Sequence, residues 1–372
     1  MKKRAIIYPY NHLAAQFVRY REHLNDFEIT EAVAPPGLSM GGYDAGIADE
    51  GIDTGLTVTE NFEEALQTCD TVIVSEYPIP QDSMFLGKIL ENLLFAMKKG
   101  KNIHCILSLP DSTVAFLQAQ AKHYHIHFTY QGENNIFPGL PPSEEEITTP
   151  IVTIMGMSEN CSKFETELAL YSRLRKKGYR VSLIGSRNGC ELFGQYSFPK
   201  FMYEPLLEEE KIDRLHSYIT YLEKKDNPDV IVLGIPGALL PTDKKHKNHY
   251  CILPTEVACA APSDYTILTV LADQANERNY HMMEKMLLYR YRSSLDAVVI
   301  SNTRFNQDGL VNNSQAEVGY DILPPKWREL DIRAEDLRHL PFYRVYSPEE
   351  MDAMEERMED SLESNYQNQG LA

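Results

Sequence analysis

The residues best placed to do chemistry are Gly156-Met157-Ser158-Glu159-Asn160-Cys161-Ser162-Lys163-Phe164. They lie between an apolar run, Ile151-Val152-Thr153-Ile154-Met155, and a helical pattern with Phe164, Leu168, Tyr171 and Leu174 on one face. A strand, an eight-residue loop and a helix with lysine in its first turn is the arrangement that wraps backbone N–H groups round a phosphate and adds one positive charge. Gly156, Ser158, Asn160, Cys161, Ser162, Lys163 and Phe164 are therefore the expected nucleotide-binding residues. The loop departs from GxxxxGK[ST] at two places. Ser162 stands where the second glycine belongs, and Phe164 where a magnesium-binding hydroxyl belongs.

A second polar stretch, Gly41, Gly42, Asp44 and Gly46 continuing through Asp49, Glu50, Gly51 and Asp53, is a possible ligand loop, since loops after strand ends are where open α/β sheets hold ligands. No GxGxxG follows the first strand, where Tyr8-Pro9-Tyr10-Asn11-His12 stands instead. His123, His125 and His127 alternate, so on a strand they would share one face. No carboxylate or cysteine stands at helpful spacing, and no metal is assigned. Glu76 ends a strand and reads as a capping or solvated acid, with acid or base work the lesser reading. The basic run Asp243-Lys244-Lys245-His246-Lys247-Asn248-His249 reads as a solvated loop first and a phosphate or acidic-leader contact second. Asn302, Thr303 and Arg304 follow a strand at a place where P-loop folds read a base or substrate, which is an argument from fold analogy.

The elements around these residues alternate strand and helix. In the first 130 residues the strands are expected at 5–8, 27–34, 71–75, 103–109 and 126–130. Helices are expected at 13–24, after Thr59 as cap, at 84–99, and from Asp111 as cap to 124. Residues 131–150, rich in Gly, Pro and Glu, form a linker. From 151 a second alternation begins, ending in a helix opened by Ser347-Pro348. Such alternation implies mostly parallel sheets with helices on both faces. The fold class is α/β, with domains at 1–130 and 151–372.

The 372 residues suit two domains. No apolar run approaches the roughly 18 residues that span a bilayer. Six cysteines without CxxC spacing, and the lack of a cleavable apolar leader, give the expectation of a reduced, cytoplasmic protein. A net charge of −18 argues against binding nucleic acid, because no basic field exists to release condensed counterions.

Seven positions separate Gly156 from Lys163, as in the GTDxxVGK loops of dethiobiotin-synthetase-like P-loop domains, which the second half resembles. Lys163 falls on their lysine. In a group of two-domain bacterial proteins a Rossmann-like domain precedes this P-loop type. Their acid-ended strand and GQGSL-like turn have a counterpart in Asp229 to Pro241, with Leu233 at the place of the acid. The whole chain resembles the clostridial peptide-maturation system proteins, accessory to bacteriocin-like modified peptides. That likeness is carried by Gly41-Gly42-Tyr43-Asp44-Ala45-Gly46, by Asn61-Phe62-Glu63-Glu64-Ala65-Leu66 running into Cys69-Asp70, and by the loop 157–163.

The resemblance implies a Rossmann-like parallel-sheet domain followed by a degenerate P-loop NTPase-like domain. It also implies ATP or another nucleotide as ligand, with or without magnesium, a precursor peptide or pathway enzymes as partners, and a homodimer. Without a hydroxyl at 164 or an acid at 233 the usual magnesium ligands are missing, and Glu159, Glu165, Thr166 and Asp229 are the candidates to replace them. No catalytic residue is assigned. An ATP-dependent ligase or kinase, and a non-catalytic peptide-binding scaffold, stay open.

Overall fold

A computed structural model of the chain describes residues 2–77, 84–130, 141–242, 251–306, 319–324 and 339–369. The basic run 243–249 and the first half of the linker, 131–140, lie outside them. The chain divides into two units, 1–136 with 188–194, and 137–187 with 195–372.

The first unit holds β1 (Lys3–Tyr8), β2 (Phe27–Val33), β3 (Val58–Thr59), β4 (Thr71–Val74), β5 (Asn102–Cys105) and β6 (Phe128–Tyr130). All pair in parallel, in the order β3-β2-β1-β4-β5-β6. That is the order of a doubly wound Rossmann sheet. The connecting helices are α1 (Ala15–Arg19), α2 (Phe62–Ala65), α3 (Met84–Lys98) and α4 (Asp111–His123). Ile89, Leu93 and Met97 of α3 recur every four residues and are buried against Ile6, Val72 and Val74 of the strands.

Several expected boundaries move. The first helix closes after five residues and continues as a turn at Arg21–His23. Thr59 pairs in β3, and Asn61 caps α2 by accepting from the Glu64 N–H at 3.2 Å. Asp111 is the first residue of α4, behind Pro110. His123 ends α4, His125 is left-handed at φ 55° and His127 precedes β6, so the three histidines share no strand face. Among the described residues no group of three or more His, Cys, Asp or Glu is placed to hold a metal, and no helix is long and apolar enough to cross a membrane.

The second unit holds β7 (Ile151–Gly156), β8 (Val181–Gly185), β9 (Tyr196–Ser197), β10 (Val230–Gly234), β11 (Tyr265–Val270), β12 (Ala297–Ile300), the pair β13 (Thr303–Phe305) and β14 (Tyr320–Ile322), and β15 (Phe342–Arg344). Seven of these form a parallel sheet ordered β15-β12-β11-β7-β10-β8-β9, while β13 and β14 pair antiparallel beside it. Helices are α5 (Lys163–Lys176), α6 (Glu208–Asp226), α7 (Ile252–Ala260), α8 (Glu277–Met286) and α9 (Pro348–Gln369). Glu208, Glu209 and Glu210 in the first turn of α6 and Lys224 and Lys225 in its last oppose the helix dipole correctly at both ends.

Strand alternation sorts the two faces. Ile151 and Met155 of β7 and Ile231, Leu233 and Ile235 at β10 enter one core with α6, α7 and α8. The opposite face carries α5, which α9 clamps through Arg173 to Asp352 at 2.7 Å and Lys177 to Glu355 and Glu359, each at 2.7 Å. Lys177 is held protonated by these two carboxylates, which outweigh its partial burial.

Candidate functional site

β7 is flanked by β10 and β11 at the middle of its sheet, so the loop that leaves its C-terminal end opens where parallel sheets hold ligands. The loop turns by placing Asn160 (φ 53°) and Ser162 (φ 61°) in the left-handed region on either side of Cys161. Such alternation points successive N–H groups to one side and makes an anion-binding concavity. Ser162 thus keeps the backbone that a glycine would adopt freely. Its hydroxyl does not cap α5 and meets Ser301 Oγ at 2.7 Å instead.

The walls are tied to the loop by side chains. Ser301 Oγ meets Thr303 Oγ1 at 2.6 Å, and Thr303 Oγ1 donates to the Asn160 carbonyl at 2.6 Å. Gln274, just past β11, donates to Ser158 Oγ at 2.7 Å. The Cys161 thiol is buried between the Ser158 carbonyl, 2.8 Å, and Thr269 Oγ1, 2.9 Å. Tyr320 of β14 leans on the same loop: burial and then the Glu159 carboxylate push its phenol up to about 12, against hydrogen bonds with Thr242 and Asn160.

Lys163 opens α5 and bends its Nζ to the Gly237 carbonyl at 2.6 Å. Its ammonium crosses Gly156, where a Cβ would stand 2.8 Å from Nζ, 2.7 Å from Cys161 Sγ and 2.7 Å from the Ser158 carbonyl. Gly156 is therefore required chiefly by the close approach of the Ser158 backbone carbonyl, which cannot swing aside as the lysine can. The segment after Gly237 returns to the loop, Leu239 N–H donating to the Gly156 carbonyl at 2.8 Å and Leu240 N–H to the Met157 carbonyl at 3.2 Å. Phe164 is buried, its ring 5.3 Å from the Arg187 guanidinium. The structure thus gathers all seven expected loop residues and brings Asn302 to Arg304 beside them.

The expected replacements for magnesium ligands fare differently. Asp229 sits at the other end of β10, about 16 Å from Gly234 at roughly 3.3 Å per residue, and is paired with Arg180 at 2.6 Å. That pairing holds its carboxyl below the ordinary value. Thr166 Oγ1 turns back to the Ser162 carbonyl at 3.0 Å, and Glu165 is buried within α5. Glu159 is exposed on the loop. Leu233 faces the α6 to α8 core, so the position at the end of β10 that faces α5 is Gly234.

An acid missed by the sequence reading stands there. Glu167, one helical turn after Lys163, is fully buried, with Oε2 accepting from the Ser186 N–H at 2.9 Å. Burial raises its carboxyl to about 7, against hydrogen bonds from Ser186 and the charges of Lys163 and Arg187. The only signal in the sequence was its spacing of four from the loop lysine.

The glycine-rich stretch of the first unit is built as a self-contained clasp. Asp44 Oδ1 accepts from Gly46 N–H at 2.7 Å, Thr54 N–H at 2.8 Å and Thr54 Oγ1 at 3.1 Å, and Oδ2 accepts from Gly55 N–H at 2.7 Å. Burial pushes the Asp44 carboxyl up, but these donors together hold it below its ordinary value. Gly41 and Gly42 lie on the exposed side of the turn.

The turn after β1 is closed by Asn11, which donates to the Pro9 carbonyl at 2.8 Å and the Glu76 carbonyl at 2.9 Å and accepts from Leu13 N–H at 2.8 Å. A cavity of about 770 Å³ opens by the ends of β1 to β3, but Glu60, Glu63 and Glu91 outnumber Lys88 on its walls, which disfavours phosphate.

No protein-family profile and no curated protein matches the chain. Among solved structures 31 chains match. An amine dehydrogenase from Mycobacterium smegmatis aligns over 49% of this chain and 47% of its own at 15% identity and a TM-score of 0.26, too low to carry an argument. A DUF1611-family protein from Anabaena variabilis aligns over 92% of this chain and 95% of its own, at 12% identity and a TM-score of 0.60. At that identity the likeness is one of fold, and the α/β architecture described above is the fold that this chain shares with the DUF1611-family protein.

Proposed function

We propose that the second unit binds a nucleotide or another phosphate-bearing ligand at the loop from Gly156 to Lys163. The observation that carries this reading is the conformation of the loop. Two non-glycine residues within three positions hold left-handed backbone immediately before a 14-residue helix, with a lysine ammonium folded over the strand's last glycine. Left-handed backbone at non-glycine residues costs free energy and is kept where surrounding contacts enforce it, commonly at ligand sites. Lys163 supplies the positive charge, and the loop's N–H groups and the helix dipole favour the anion. With Phe164 and Gly234 at the places of the usual magnesium-binding groups, binding rather than phosphoryl transfer is the proposed activity. The resemblance to peptide-maturation proteins supports an accessory role in modifying a bacteriocin-like precursor peptide.

Calorimetric titration with ATP, ADP and GTP, with and without magnesium, tests the site. Saturable binding that is lost in Lys163→Ala is expected. Absence of heat and of any thermal shift in folded protein with every nucleotide would overturn the reading.

A further inference from the structure

Glu167 and Lys163 project from the same side of α5, one turn apart, toward the loop that follows β10. Lys163 holds the Gly237 carbonyl of that loop, and the Glu167 carboxyl fills the place where a side chain at Gly234 would begin. A Cβ there would stand 2.2 Å from Oε1 and 2.7 Å from Oε2. The carboxyl has no exposure; Oε2 takes the Ser186 N–H, and Oε1 is buried with no hydrogen-bond partner. The charged groups that face it are Lys163 on its own helix and Arg187 just past β8, while β10 brings the uncharged Gly234.

We propose that Glu167 is the acidic partner of Lys163 in the phosphate site, and that an anionic ligand binds there together with one proton, which Glu167 receives from solvent. The inference rests on the phosphate-binding reading above. A carboxylate removed from water with donors from one residue only, the Ser186 N–H and side chain, stays ionised through its nearby cations. A phosphate claims the Lys163 charge and adds negative charge of its own. Both effects favour the neutral acid, whose new O–H lies on the oxygen that lacks a partner. No bond of the ligand is broken, and the proton comes from the buffer. Burial already brings the group to the edge of neutrality, with its carboxyl at about 7.

Above pH 7 the affinity for ADP should fall about tenfold per pH unit until the bound-state carboxyl ionises. The experiment is titration of the full chain with ADP, with and without magnesium, between pH 7 and 9 in buffers of differing ionisation enthalpy. The wild-type protein is to take up a proton fraction approaching one per ADP bound. Glu167→Gln, folded by circular dichroism, is to bind ADP with no such uptake and several-fold more tightly at pH 8. ADP binding by the wild type with no uptake beyond that of Glu167→Gln overturns this inference while leaving the phosphate site standing. So does magnesium-dependent binding that Glu167→Gln abolishes, because the acid would then be used ionised. No binding by either protein at any pH refutes the underlying reading and the inference together.

Discussion

Replacing Glu167 by Gln should make the protein more stable at pH 8 and leave it unchanged at pH 4. In the unfolded chain the carboxyl ionises near 4.5, and in the folded chain near 7. Below 4.5 both states carry the proton, and the acid behaves much as the amide. Between 4.5 and 7 the unfolded state releases its proton while the folded state keeps it, so stability drains away as pH rises through this window. The interval corresponds to roughly 3 kcal/mol at about 1.4 kcal/mol per tenfold. Gln keeps an acceptor for the Ser186 N–H, which Glu167 binds at 2.9 Å, and differs mainly in its lack of charge. The assay is urea unfolding of both proteins at pH 4, 6 and 8. Titration of the other carboxylates is common to both and cancels in the difference. A difference that stays constant across the three pH values would refute the reasoning, since it would mean that Glu167 is not neutralised by burial.

Gly234→Ala drives a methyl against the Glu167 carboxyl and should cost about 1–3 kcal/mol by overpacking, an amount largely recovered in Gly234→Ala/Glu167→Ala; strict additivity in chemical denaturation would dismiss the contact. Gly156→Ala places a Cβ 2.7 Å from the Ser158 carbonyl and 2.8 Å from Lys163 Nζ, so the loop must shift and ADP affinity should drop at least about tenfold, as measured by titration beside a thermal melt. Asp44→Ala removes the acceptor for Gly46, Thr54 and Gly55, and their amides should lose hydrogen-exchange protection while the second unit's amides keep theirs.

The apolar runs that became β1, β4, β7, β10 and β12 were legible because parallel strands buried on both faces read as continuous hydrophobic sequence. The loop lysine was legible for the same reason, being set between a strand and a strongly patterned helix. β3 was not, because two paired residues carry no period, and Thr59 consequently read as a helix cap. Glu167 was hidden more deeply. Hydropathy assigns a glutamate to solvent, whereas its burial is set by Gly234 and Ser186, 67 and 19 residues away in sequence. Leu233, which the resemblance sets at the place of the acid, is turned by strand alternation into the core with α6 to α8. Asp229 failed for a related reason: it lies on the right strand at the wrong end.

The seven residues 188–194 belong with the first unit although 137–187 and the chain beyond 195 do not. Their contacts there are specific: Phe193 stacks on Phe17 at 5.9 Å, Leu192 O accepts from Asn25 N–H at 2.8 Å, and Gly189, at φ +98°, lies so close to Phe17 that a Cβ would be 2.7 Å from the ring. The order of synthesis therefore differs from the order of the two units along the chain. A ribosome that has delivered residues 1–136 has not yet supplied the piece that covers Phe17, and by the time it does, β7, α5 and β8 have already emerged. Domains made first commonly fold first, but here the first can be completed only after β7, α5 and β8 of the second exist. A fragment ending at residue 136 should consequently expose Phe17 and aggregate.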